Sequence, residues 1–349
     1  MAQTLTLPEP ARFGRAYTVI WGLAELGKSL IYGTFGALLP IFYQDYLGLA
    51  ARWIGIASVI YAIWNAVNDP LFGYMTDSTR SKRGRRIPYL RFTAPFLGLT
   101  FVLVWLAPQG AGQQGLFWWM LVAMLLFDTC YTIIGLVYSA LLPEVTESDS
   151  ERHKLQISAS LLGLVGTLLG FIIPDFFRPK AGGPVSFLPL QASMVVIAVM
   201  GVAFLLLFSF KVKERPEFTQ VDKPLPPGPA LRYTFTSRSF LALVAANFMS
   251  ILMNALLLGA MFYLADYVLR VNAMIPLAAL FVPLLIGVPA TQLVTRRIGI
   301  VAGQQLFFVI AGVALILLTF APPSLIIPCL AVAGFGLAGP QTLTNLLFA

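Results

Sequence analysis

The sequence predicts an all-α polytopic membrane protein: a six-helix bundle joined through a charged linker to a second bundle of four helices. Three observations lead there. The 349 residues are 58% hydrophobic and only 11% charged, with a mean hydropathy of +0.82, whereas an ordinary soluble domain carries about 25% charged residues. Apolar runs recur along the chain, each near the roughly 20 residues that a helix needs to cross a bilayer. Strand-like alternation is absent and the runs far exceed barrel strands, so each segment must close its backbone hydrogen bonds as helix.

The expected spans are 17–44, 53–76, 88–107, 116–141, 154–174, 188–210, 239–265, 274–294, 300–320 and 324–348. Met1 to Ala16 is polar and runs into a span too long for a cleavable leader, so it reads as mature sequence. The one long interruption, Lys211 to Arg238, holds Lys-Val-Lys-Glu-Arg-Pro and then Pro224, Pro226, Pro227 and Pro229, which cannot be helical throughout. It divides a first bundle (1–210) from a linker (211–238) and a second bundle (239–349). The second bundle is two helices short of the first, and we read it as truncated. Two bundles around a central site are the plan of carriers built from repeated halves.

The net charge of +8 does not indicate nucleic acid, because its distribution follows the membrane. Arg12, Arg15, the Arg80 to Arg91 cluster, Arg152, Lys154, the linker cations, Arg296 and Arg297 fall on one side; Arg52, Arg178, Lys180 and Arg270 fall on the other. This asymmetry places the N-terminus in the cytoplasm and the chain in a plasma (inner) membrane as a multi-pass protein. Cys130 and Cys329 lie within spans and carry no redox information.

The chemistry sits in polar residues inside the spans, where such groups are expensive and normally face a wet cavity or a partner. In the first span Glu25, Lys28, Ser29 and Tyr32 share one face, with Lys28 about 16 Å along the helix from Tyr17, too deep to reach the interface easily. Gly22 to Ser29 also matches the phosphate-loop pattern letter for letter. Inside a continuous membrane helix its amides are already committed, so no nucleotide is expected. In the second span Tyr61, Asn65, Asn68, Asp69 and Phe72 form a stripe whose oxygens suit a small hard cation. In the fourth, Asp128, Tyr131, Thr132, Gly135 and Ser139 lie on one side. Glu25, Asp69 and Asp128 against Lys28 alone leave two uncompensated negative charges, which protons, a metal cation or a cationic solute would offset. Trp21, Tyr32, Trp64, Tyr131 and Tyr138 could stack on a sugar or line an apolar path. The second bundle offers Asn247, Asn254, Gln341, Thr342 and Asn345.

The run Trp64-Asn-Ala-Val-Asn68-Asp69-Pro70-Leu-Phe-Gly73, followed by Asp77, Thr79-Arg80-Ser81, Gly84-Arg85-Arg86 and Pro88, resembles a signature of the glycoside, pentoside and hexuronide cation symporters, the melibiose permease-like group of the major facilitator superfamily. Tyr131-Thr132, Leu141-Leu-Pro-Glu144 and Glu151-Arg152 resemble a second signature of that group. The resemblance implies sodium binding at the face of Asn65, Asn68, Asp69 and Thr132, although a family carboxylate is replaced by Asn65. Its sugar-binding charges are replaced by Ser29, Gly135 and Ser160, so galactoside recognition does not carry over. Gly73, Asp77, Arg80, Gly84, Arg85, Arg86, Glu144 and Arg152 would form a cytoplasmic gate, with Gly73 permitting close helix approach and the charges pairing and parting as the halves rock.

Together these readings describe a carrier, not an enzyme, that moves a small polar solute such as a glycoside or sugar acid in symport with Na+ or H+; the sequence leaves its oligomeric state open, with a monomer favoured. The solute set is Glu25, Lys28, Ser29, Tyr32, Trp64, Asp128, Tyr131, Tyr138 and Asn254. Neither a resident cofactor nor a metal cluster is expected. The competing readings are lysolipid transport on the same fold and a non-transporting membrane receptor or assembly partner.

Overall fold

The computed structural model describes residues 13–79, 84–177, 179, 186–214, 236–271 and 274–348; the side chains of residues 175, 254–256, 258–263, 266–267, 345 and 348 are outside that description. Among the described residues there are ten long helices and no strands. They are α1 (Arg15–Ile41), α2 (Ala51–Ser78), α3 (Ile87–Trp105), α4 (Gln113–Val145), α5 (Asp149–Phe177), α6 (Leu188–Lys211), α7 (Arg238–Tyr263), α8 (Met274–Ile298), α9 (Ile300–Phe320) and α10 (Pro323–Phe348). Short π-helical turns, Phe42–Tyr46 and Leu264–Leu269, extend α1 and α7. The expected all-helical polytopic fold is therefore present. By length and composition alone, seven of the described helices qualify as membrane spans. Among the three that do not are α1 and α2, which carry the charged and amide groups singled out above.

Turn chemistry follows the sequence closely at one point. Gly299 alone separates α8 from α9 and has φ +86°, a left-handed value that costs a side chain but not glycine.

The first bundle is assembled on close backbone contact, as expected where lipid supplies no hydrophobic drive between helices. Small residues of α1 face small residues of α5 and α6. A Cβ added at Gly27 would stand 2.8 Å from the Gly201 carbonyl oxygen, and one at Gly170 would stand 2.7 Å from that of Leu30. Thr34 Oγ1 donates to the Gly170 carbonyl at 3.0 Å, tying α1 to α5. In α2 the polarity is sorted by face: Asn68 is fully buried, whereas Ile56, Val59, Ile63, Val67 and Leu71 are all exposed. Outward apolar and inward polar is the arrangement that lipid as solvent demands.

The second bundle packs α10 against α8 and α9 around Leu280, Leu284, Phe307, Leu330 and Leu337. The halves meet through α5, whose Leu164 is buried in that second core. Ser160 Oγ also donates to the Gln341 carbonyl of α10 at 3.5 Å. Ser160 lies in the first half of α5 and Leu164 just past its middle.

The packing makes a sharp prediction. Gly170→Val is expected to force α1 and α5 apart and to lower the midpoint of thermal unfolding in detergent. Gly36→Val on the same α1, where a Cβ meets nothing within 4 Å, is expected to leave the midpoint close to that of the parent.

Candidate functional site

Three polar constellations are built on the first bundle. The deepest joins α2 to α4. Asp128 of α4 is buried, 2% exposed, and accepts three hydrogen bonds from α2: from Tyr61 Oη at 2.8 Å, Asn65 Nδ2 at 3.2 Å and Asn68 Nδ2 at 3.0 Å. The helical spacing explains the convergence, because positions 61, 65 and 68 fall on one face of α2. One turn further along α4, Thr132 Oγ1 donates to Asp69 Oδ1 at 3.3 Å. Asp69 stays exposed, so this carboxylate is open to an ion, while Asp128 is enclosed. The Oδ1 atom of Asn68 is buried and has no hydrogen-bond partner. The cation residues proposed from sequence thus lie along the interface of two helices, with Asp128, a member of the proposed solute set, bonded to two of them. Trp64 lies at the same interface, its Nε1 donating to Thr129 at 3.2 Å.

The second constellation is on α1. Lys28 Nζ pairs with Glu25 Oε2 at 2.8 Å, and Ser29 Oγ donates to Glu25 Oε1 at 3.3 Å. The lysine also sits over the Tyr138 ring, 4.8 Å from its centroid, a favourable position for a desolvated cation. The Tyr138 hydroxyl is committed elsewhere, donating to the Trp21 carbonyl at 3.0 Å, so this tyrosine offers its face and not its hydroxyl. Tyr32 stacks on Tyr131 with centroids 4.6 Å apart. The backbone of α7 is described at Asn254, but its side chain is not.

The third constellation closes one end of the bundle. Arg86 pairs with Asp77 at 2.9 Å and with Glu144 at 3.0 Å, and Arg85 also pairs with Glu144. Burial lowers the Arg86 pKa from its ordinary value, while Glu144 and Asp77 raise it, so the pairing offsets the cost of enclosing the guanidinium. Arg152 donates to the carbonyls of Thr146 and Pro143, fixing the turn after α4. Gly73 does not behave as expected: a Cβ there would meet nothing within 4 Å, so it permits no close approach in this conformation. Arg80 lies outside the described residues.

Sequence reasoning missed Glu214. Its carboxylate accepts the backbone N–H groups of Arg85, Arg86 and Ile87 at 2.6, 2.8 and 2.5 Å. An acidic cap on these otherwise unpaired amides stabilises the start of α3. Gly84, at φ +105°, leaves room for it, since a Cβ would stand 2.7 Å from Glu214 Oε1. The linker after α6 is therefore stitched to the loop between α2 and α3. Lys-Val-Lys-Glu-Arg gave no sign of this because the partner amides are more than a hundred residues away.

Residues 20–349 match the family described as MFS/sugar transport protein. The chain belongs to that family. It is the melibiose permease-like group that the α2 and α4 signatures resemble, and its members and fold neighbours are transporters rather than enzymes. Similar proteins include the putative glycoside/cation symporter YagG of Escherichia coli (strain K12), 27% identical over 252 residues, which cover 71% of this chain and 54% of YagG. The sodium-dependent lysophosphatidylcholine symporter 1 of Gallus gallus is 30% identical over 158 residues, covering 44% of this chain and 30% of the symporter. The chain spans about half or less of the length of these curated relatives. The proton:xylose symporter XylE bound to 6-bromo-6-deoxy-D-glucose superposes with a TM-score of 0.67 at 16% identity, covering 96% of this chain and 82% of XylE. At that identity the likeness establishes the fold.

The Glu214 stitch predicts that Glu214→Ala lowers thermal stability by about 1 kcal/mol, the usual worth of a helix cap. Gly84→Ala should lower it further by adding left-handed strain and displacing the carboxylate. Equal stability of both variants and the parent in a detergent melt would contradict the assignment.

Proposed function

We propose that this chain is a cation-coupled secondary transporter that carries a small polar solute, a glycoside or sugar acid, across the plasma (inner) membrane by alternating access. The observation that carries this reading is the convergence of Asp128, Asn65, Asn68, Tyr61, Asp69 and Thr132 between α2 and α4. Oxygen-rich polar clusters at membrane depth mark ion and solute pathways. The candidate coupling ions are Na+ and H+, bound at Asn65, Asn68, Asp69 and Thr132.

The solute sits next to this cluster, against the Lys28–Glu25 pair and the Tyr32–Tyr131 stack. A lysine can turn from its acidic partner to a solute carboxylate, and Ser29 remains as a donor to Glu25 when it does. The aromatic faces supply stacking area for the apolar side of a sugar ring. The Arg85–Arg86–Asp77–Glu144 network is the latch, cytoplasmic by the positive-inside distribution, and it parts when the halves rock. No covalent step is involved.

One relative supports a second reading. The lysophosphatidylcholine symporter shares the matched region, and Lys28 with the aromatic faces would equally suit a phosphate head on an apolar tail.

The test is uptake into membrane vesicles under an imposed Na+ or H+ gradient. Labelled glycosides and sugar acids are expected to accumulate only with the gradient, and Asp69→Asn to abolish that accumulation. Gradient-driven uptake of lysophospholipid instead would establish the second reading. Ligand binding that ignores both the gradient and Asp69→Asn would overturn transport in favour of a receptor.

A further inference from the structure

We propose that the start of α3 and the end of α6 form a seat for an anionic phospholipid of the cytoplasmic leaflet, with Arg91 on its phosphate and Phe92 and Phe210 beside its acyl chains. This surface is on the outside of the bundle, apart from the solute and cation residues, so the inference does not depend on which solute is carried.

Both helices are long and apolar enough to cross a bilayer, and they pack closely. A Cβ added at Gly98 of α3 would stand 2.7 Å from Val202 Cγ2 of α6. That contact sets their outer faces side by side. Phe92, Phe96 and Leu99 recur on α3 at i, i+4 and i+7 and are exposed, as are Val199 and Phe210 on one face of α6.

Arg91 stands where these faces meet, one turn into α3. Its Nη2 donates to the Ser209 carbonyl of α6 at 2.8 Å, and its guanidinium carbon lies 4.2 Å from the centroid of the Phe210 ring. Carbonyl and ring hold a long side chain in one pose at the helix junction. What they do not supply is an anion. The Nε donor is buried and has no partner, and among the described residues no carboxylate pairs with Arg91. A buried donor without an acceptor costs free energy. The acid nearest in sequence to Ser209 is already spent, since Glu214 accepts the amides of Arg85, Arg86 and Ile87. Lys211 and Lys213, both exposed, follow Phe210 within three residues and add positive charge.

A phosphate takes a guanidinium through two N–H groups at once, and Arg91 has them unspent. Depth agrees, because Arg91 lies about 6 Å along α3 from Ile87 at 1.5 Å per residue, on the side that the basic residues assign to the cytoplasm. Basic groups between membrane helices on that side are suited to acidic headgroups. The apolar stripes decide between a lipid phosphate and a dissolved one. A free ion would touch the cations and leave Phe92, Phe96 and Leu99 unused, whereas acyl chains run down them. Three cations against one committed acid also favour a net-negative headgroup over a zwitterionic one.

The measurement is the thermal midpoint of the full chain in a mild detergent, titrated with phosphatidylglycerol, phosphatidylcholine or inorganic phosphate. Phosphatidylglycerol alone should raise the midpoint. The quantity compared between variants is its half-effective amount, which loss of the Ser209 bond by itself would not move. Arg91→Gln should raise that amount roughly fivefold, the weight of one basic charge at an anionic membrane surface. Lys211→Gln with Lys213→Gln keeps the Arg91 contacts and should raise it by a similar factor or more, which tests the seat even where Arg91→Gln does not fold. Arg297→Gln, at an exposed cation in the last turn of α8 on the same side, should leave it unchanged. Equal stabilisation by phosphatidylcholine or by inorganic phosphate would overturn the proposal. So would an unaltered response in the folded Arg91 variant or in the lysine pair, or an equal loss in Arg297→Gln.

Discussion

A carboxylate enclosed among hydrocarbon chains must be met by donors, and in this protein that requirement organises the first bundle. Asp128 draws Tyr61, Asn65 and Asn68 to one face of α2. Once that face points inward, Ile56, Val59, Ile63, Val67 and Leu71 are left exposed. The rotation of α2 about its axis thus follows from one acid on α4. The same rotation carries Asp69 to Thr132 and leaves the oxygen of Asn68 unmatched. Replacing Asp128 with an apolar residue would free three donors at once, and leaving such groups unpaired in a low-dielectric interior is costly.

Around that interface the bundle divides its work. Contacts among small residues of α1, α5 and α6 let backbones approach and fix the scaffold, independent of charge. The Tyr138 face borders the α1 ion pair, and Tyr32 of α1 stacks on Tyr131 of α4. At the far end of α2, Asp77, Arg85, Arg86, Glu144 and Glu214 join three helix ends and a linker. Such a network forms or parts as a unit, which is the property that a rocking mechanism needs.

Much of this was legible in the sequence, for physical reasons. Lipid as solvent forces long apolar helices, so ten helices could be read from hydropathy, seven of them long and apolar enough to cross a bilayer. Helical spacing was enough to put Asn65, Asn68 and Tyr61 on one stripe, and the acidic and basic residues around the loop pointed to ion pairing there. What could not be read was pairing between elements distant in sequence. Asp128 read as one of the solute residues until α4 was set against α2, and Glu214 looked like one more charge in a basic linker. Gly73 was misjudged because a small residue reports only permission to pack, and whether another helix takes the opportunity depends on tertiary arrangement.

The central claim is that the inner faces of α1 and α4 border water at membrane depth while the outer faces border lipid. Accessibility of introduced cysteines to a small hydrophilic thiol reagent tests it most directly, in a background with Cys130 and Cys329 replaced by serine. Gly135 offers a clean position, since a side chain there meets nothing within 4 Å, and Tyr32 offers a second. The account predicts rapid labelling of Gly135→Cys and Tyr32→Cys and none of Ile63→Cys or Val199→Cys. Labelling of the second pair with protection of the first would contradict it.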